Sequence, residues 1–140
     1  MQFRANYLST SIAGEGDYYR ASFKVEDNSE DMEIADILAI TDSPYLLMQR
    51  QFESEEPYDD RCYIETHDEN YIGHFRPRRI TFTQEKLAIE LDRAKDNLIC
   101  ITFTMAASDF EEASRVIKII GGESEPVDTD SDKFYDIRER

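Results

Sequence analysis

Between Ile80 and Gly122 the apolar period changes from two residues to about 3.6, which confines the chain to folds that lay a helix on a largely antiparallel sheet. Ile80 and Phe82 share one strand face, as do Leu87, Ile89 and Leu91, so two half-buried strands are expected to form a hairpin. The connector Thr83-Gln84-Glu85-Lys86 lacks the Asn-Gly or Asp-Gly of a tight primed turn, which points to a longer loop built on a type I turn. Leu98 to Phe103 is apolar at nearly every position. A strand carries such a run where both faces are at least partly covered, so it is expected to be central. Ser108-Asp109-Phe110-Glu111 has the form of a capping box and predicts a helix start. Phe110, Ala113, Val116, Ile117 and Ile120 make an apolar stripe, and Gly121-Gly122 predicts the helix end. The stripe is expected to cover the hairpin and the central strand.

The rest of the chain reads as additions to that unit. Phe3, Ala5 and Tyr7 alternate with polar residues and predict a short first strand. Ser9 to Asp17 carries Gly14 and Gly16, and Tyr19, Ala21, Phe23 and Val25 then mark a second strand. Glu26 to Asp36 holds six acids and no base, the composition of a solvated loop. Ile37–Ile40 and Tyr45–Arg50, joined by Thr41-Asp42-Ser43-Pro44, predict a second hairpin. Phe52 to Asp60 is another acidic loop, Cys62–Thr66 is strand-like, and Tyr71–Phe75 is a short strand that Gly73 interrupts with a bulge or a close backbone approach. These elements predict one α+β domain over residues 1–122, a mainly antiparallel β-sheet of about seven strands with one C-terminal amphipathic helix packed on one face. Residues 123–140 form an acidic C-terminal tail, read as either disordered or an added edge strand.

Charge bounds the function. At −15 with a pI near 4.4, the chain is unsuited to nucleic acid or anionic membrane and suited to a basic partner. No apolar run approaches the length of about 18 residues that spans a bilayer, and the first residues have no signal-peptide pattern, so a cytoplasmic protein is expected. Cys62 and Cys100 read as reduced thiols unless neighbouring strands bring them together. His67 and His74 lack the further ligands that a metal site needs, and no cofactor motif is present. A Cys-His nucleophilic pair is conceivable, but a thiol buried in a central strand, as Cys100 is expected to be, would be inert. No residue spacing of a strong catalytic motif is therefore read here, and an enzyme is kept as a third possibility behind the binding functions below. The basic triplet Arg76, Arg78 and Arg79 could grip a carboxylate or phosphate, but arginines among so many acids are expected to pair within the chain.

Tyr18, Tyr58, Tyr63 and Tyr71 lie in or beside acidic segments, a pairing of aromatic anchor and steering charge suited to a protein interface. The competing reading is that they simply cover the sheet. Tyr45-Leu46-Leu47-Met48-Gln49-Arg50, Tyr63-Ile64-Glu65, Asp68, Tyr71, Gly73 and the Leu87-Ile89-Leu91 strand resemble immunity protein family 10 of bacterial polymorphic toxin systems, over roughly Phe23 to Ile120. The family commonly places a small residue or second glycine beside the position of Gly73, where this chain has His74. The resemblance implies a non-catalytic cytoplasmic protein that binds and neutralises a cognate toxin domain. On that hypothesis Glu53, Glu55, Glu56, Tyr58, Asp59, Asp60, Tyr63, Asp68 and Tyr71 are the expected partner-binding residues. Two other functions fit an acidic α+β chain. One is a secretion chaperone for an effector protein, although such chaperones resemble a pattern that opens on an amphipathic helix. The other is a DNA-mimic inhibitor of a DNA-processing enzyme. A homodimer through an exposed edge strand is also open.

Overall fold

Period-two alternation sorts the chain into strands with one apolar face each, and the computed structural model describes residues 1–13, 18–25, 43–51, 62–123 and 133–138. The strands are β1 (Gln2–Arg4), β2 (Tyr7–Ala13), β3 (Tyr18–Lys24), β4 (Tyr45–Gln51), β5 (Cys62–Thr66), β6 (Gly73–Phe75), β7 (Pro77–Phe82), β8 (Lys86–Leu91), β9 (Leu98–Thr102) and β10 (Lys133–Arg138). A single helix, α1 (Ala107–Ile120), is described, with a 3₁₀ turn at Glu69–Tyr71. The class is α+β and mainly antiparallel. The expected single sheet of about seven strands is instead two sheets, of order β1-β9-β8-β7 and β10-β2-β3-β4-β5-β6. Among the described strands only β1 and β9 pair in parallel.

The chain passes directly from a strand of one sheet to a strand of the other at two places, and β10 rejoins the large sheet after α1. The Ala5 amide donates to Thr102 O in the small sheet at 2.9 Å, and the next amide, that of Asn6, donates to Lys24 O in the large one at 3.1 Å. The expected first strand over Phe3, Ala5 and Tyr7 is thus cut in two, because alternation carries no mark of a change of sheet. Arg76, between β6 and β7, is the second crossing. β2 extends through Ser9 to Ala13, where the sequence pattern predicts no strand. The hairpin expected between Ile37–Ile40 and β4 and the loops Glu26–Asp36 and Phe52–Asp60 lie outside the described residues, and β4 pairs with β3 and β5.

The inward residues of both sheets share one core. Tyr19, Ala21 and Phe23 of β3, Leu46 and Met48 of β4 and Ile64 of β5 are fully buried, as are Leu87, Ile89, Leu91, Ile99 and Ile101 of the small sheet. Four phenylalanines chain the layers together: Phe23 to Phe103 at 5.7 Å between centroids, Phe103 to Phe82 at 5.7 Å and Phe82 to Phe110 of α1 at 5.2 Å. β9 is internal, between β1 and β8, but only its inner face is covered. Leu98 is 52% exposed and Cys100 half-buried, so the apolar run overstated the covering and Cys100 is not the buried thiol expected. In the hairpin loop Thr83 Oγ1 accepts the amides of Glu85 (3.2 Å) and Lys86 (3.1 Å), which closes the four-residue connection.

The helix departs from expectation at its start. Ala106 holds the N-cap position, no side chain caps the helix, and Ser108 lies inside the first turn, so the capping box does not form. At the other end Glu123 N–H donates to Lys118 O (2.8 Å) and Gly122 N–H to Ile119 O (3.1 Å), with Gly122 at φ +82°. That is the Schellman arrangement, and the positive φ explains the glycine. Ala113, Val116, Ile117 and Ile120 are buried as the stripe requires, and Ile119 joins them. The main surface they cover is β2, β3 and β4, not the hairpin and central strand. Ile119 widens the stripe enough for that, while Phe110 at its flank still stacks on Phe82 of the hairpin.

Candidate partner-binding face

Since Tyr19, Ala21 and Phe23 point towards α1, strand parity sends Tyr18, Arg20, Ser22 and Lys24 to the opposite face of the large sheet. The antiparallel register then aligns three rows across that face. One runs Phe134, Ser11, Arg20, Gln49, Tyr63, His74. The next runs Asp136, Ser9, Ser22, Leu47, Glu65, and the third Arg138, Tyr7, Lys24, Tyr45.

The rows are tied by side-chain hydrogen bonds. The Glu65 carboxylate accepts from the Tyr63 hydroxyl at Oε1 (2.9 Å) and from the Tyr45 hydroxyl at Oε2 (3.0 Å), so one acid orients two half-exposed rings. Burial and this hydrogen bond raise the Tyr45 phenol above its ordinary pKa, and at Tyr63 the hydrogen bond to Glu65 is the larger cause. Gln49 Oε1 accepts from the Tyr18 hydroxyl (2.9 Å) and from Arg20 (3.3 Å), and the Arg20 guanidinium lies 5.0 Å over the Tyr18 ring. Tyr7 is capped by Lys24 and Arg138 and hydrogen-bonds Asp136. With Tyr7 buried, the face thus offers Tyr18, Tyr45, Tyr63 and Leu47 within a frame of both charge signs, the composition of an interface centre and its rim.

Of the expected partner-binding residues, Glu53, Glu55, Glu56, Tyr58, Asp59 and Asp60 lie outside the described residues. Tyr63 is on the face. Asp68 accepts the Asn70 amide at 3.0 Å and so caps the 3₁₀ turn, at the end of β5. Tyr71 is 5% exposed beneath the Arg93 guanidinium, which corrects its reading as an exposed anchor. The residue missed is Tyr45, whose alternation with buried Leu46 and Met48 was the signal available. Cys62 is buried, and burial pushes its thiol up to about 11, which keeps it protonated and unreactive at neutral pH. Both cysteines are free, and no group of three or more His, Cys, Asp or Glu among the described residues could hold a metal. No helix among them is long and apolar enough to cross a membrane.

Charge is segregated along the chain. The described residues carry 14 Lys and Arg against 12 Asp and Glu, so the whole acidic excess belongs to the stretches between them. Residues 26–42 follow β3 and precede β4, whereas residues 52–61 follow β4 and precede β5, so these two acidic stretches attach at opposite ends of β4. In comparisons with known proteins, no family model, curated protein or solved structure matches the chain.

Proposed function

We propose that the protein is a non-catalytic binding protein that neutralises a basic bacterial toxin domain in the cytoplasm, as its resemblance to immunity protein family 10 implies. The observation that supports this reading is the Tyr45–Glu65–Tyr63 clasp on the face away from α1. Tyrosine is favoured at energetic centres of interfaces, and rings already held in place lose less entropy on binding. The acidic stretches attached at the two ends of β4 supply long-range attraction to a basic partner. A DNA mimic would present carboxylates in place of phosphates, and the sheet residues, with more bases than acids, offer no such array. The test is growth rescue. Co-expression should restore growth to cells producing the toxin domain encoded beside this protein, and Tyr45→Ala with Tyr63→Ala should abolish rescue while leaving the melting transition cooperative. Absence of rescue by the unaltered chain would overturn the reading.

A further inference from the structure

The basic triplet read from the sequence is divided by the fold. Arg78 spends its guanidinium on Glu90 (3.2 Å) and Asp92 (2.9 Å), as arginines in an acidic chain are expected to do. Arg76 and Arg79 make no ion pair or side-chain hydrogen bond among the described residues. Arg76 stands at the crossing from β6 to β7, where its carbonyl accepts the Asp92 amide at 3.0 Å and brings the end of β8 alongside. There a cavity of about 330 Å³ is lined by His74, Phe75, Arg76, Leu91, Asp92 and Arg93.

Arg93 is the fixed wall of that cavity. Its guanidinium lies 5.2 Å from the Tyr71 ring centroid and 5.0 Å from that of Phe75. Nε donates to Asp96 O (2.8 Å) and one terminal nitrogen donates to Asn70 O (2.7 Å). Rings and neutral carbonyls hold the group in place without cancelling its charge, and its other terminal nitrogen has no hydrogen-bond partner among the described residues. The Asp92 carboxylate in the wall is already engaged by Arg78. Two guanidinium groups without an ion pair among the described residues, with the His74 imidazole as a further donor, therefore line one polar cavity whose wall also carries Asp92.

We propose that this corner binds a small phosphate monoester. Two guanidinium forks match a phosphate group in geometry, and its charge of about −1.5 to −2 near pH 7 balances both, whereas a carboxylate would balance one. The site adjoins the tyrosine face through His74, whose ring centroid lies 5.4 Å from that of Tyr63, but nothing in the toxin-binding reading requires it.

The test is a titration of the isotope-labelled full chain, followed by amide chemical shifts at fixed pH with chloride balancing ionic strength. Inorganic phosphate and glycerol phosphate are the ligands and acetate the carboxylate comparison. Saturable shifts clustered at His74, Arg76, Asp92 and Arg93 with both phosphates, and none with acetate, are expected. Arg76→Gln, at an exposed side chain with no ion pair or side-chain hydrogen bond among the described residues, should weaken binding roughly tenfold. Arg79→Gln should leave it unchanged, because that arginine also has no ion pair among the described residues but lies outside the cavity. Shifts that do not saturate, equal binding of acetate, or equal weakening by the two substitutions would overturn the proposal.

Discussion

A carboxylate shared by two phenols governs the chemistry of the tyrosine face. Tyr45 and Tyr63 both donate to Glu65, and both phenols are raised above the ordinary value of 10.0. The folded protein therefore keeps protons that the unfolded chain releases near that value. Wherever the folded state binds more protons, stability falls as pH rises. This contribution is whole below pH 10.0 and is lost as pH climbs through the raised folded values. Glu65→Gln removes the charge, so its denaturant-measured stability should decline less steeply than that of the parent between about pH 9 and pH 11. Parallel declines would refute the clasp. The cysteines give a second expectation at this scale. Cys100 is half-buried on the outer face of the small sheet and Cys62 is 1% exposed. A thiol reagent at mildly alkaline pH should modify Cys100 in the native protein and reach Cys62 only on unfolding, and equal rates for the two would contradict this packing.

Among the elements, the helix shows most directly what local sequence carries and what it omits. Its end was legible because Gly121-Gly122 follows an apolar stripe, and a residue at φ +82° favours glycine. Gly122→Ala should cost about 1 kcal/mol by the strain of that conformation, the added Cβ also falling 2.9 Å from an Arg50 nitrogen. Its start was misread, because Ser108 and Glu111 have the right spacing but the chain enters the helix at Ala106. Ala106 already has the extended dihedrals of a cap (φ −72°, ψ 157°) and lacks only an acceptor. Ala106→Asp should therefore stabilise the protein by about 1 kcal/mol in chemical denaturation, and no gain would show that the amides of the first turn need no cap. The strands divide in the same way. β3 was plain because Tyr19, Ala21 and Phe23 alternate with polar residues, whereas β2 offers only Leu8 and Ile12 around a buried Thr10. β10 has one buried residue, Ile137, and forms on the edge supplied by β2. Its pattern is weak because a neighbour more than a hundred residues away provides the reason for the strand.

Over the whole molecule, two features that shape the candidate site are not written in the periodicity of a strand. The register of β4 against β5 brings Tyr45 to Glu65 and Tyr63, and no periodicity within either strand specifies that pairing. The 3₁₀ turn at Glu69–Tyr71 reorients the chain between β5 and β6, so the direction of Tyr71 could not be carried over from the strand before it. What the sequence does make plain is where charge resides: a nearly balanced framework with its acids in the connecting stretches. That separation predicts a separation of kinetic roles. Glu53→Lys, Glu55→Lys and Glu56→Lys together change the net charge from −15 to about −9 without touching a described residue. Association with a basic toxin domain should slow by about tenfold at low salt and lose most of its salt dependence, with the dissociation rate much less affected. Tyr63→Ala should do the reverse, leaving association nearly unchanged and speeding dissociation by about tenfold or more, as the loss of an interface anchor does. Surface plasmon resonance across a salt series separates the two. If charge reversal left the association rate unchanged, steering by the 52–61 stretch would be refuted; if Tyr63→Ala left the dissociation rate unchanged, the partner would have to seat somewhere other than the tyrosine face.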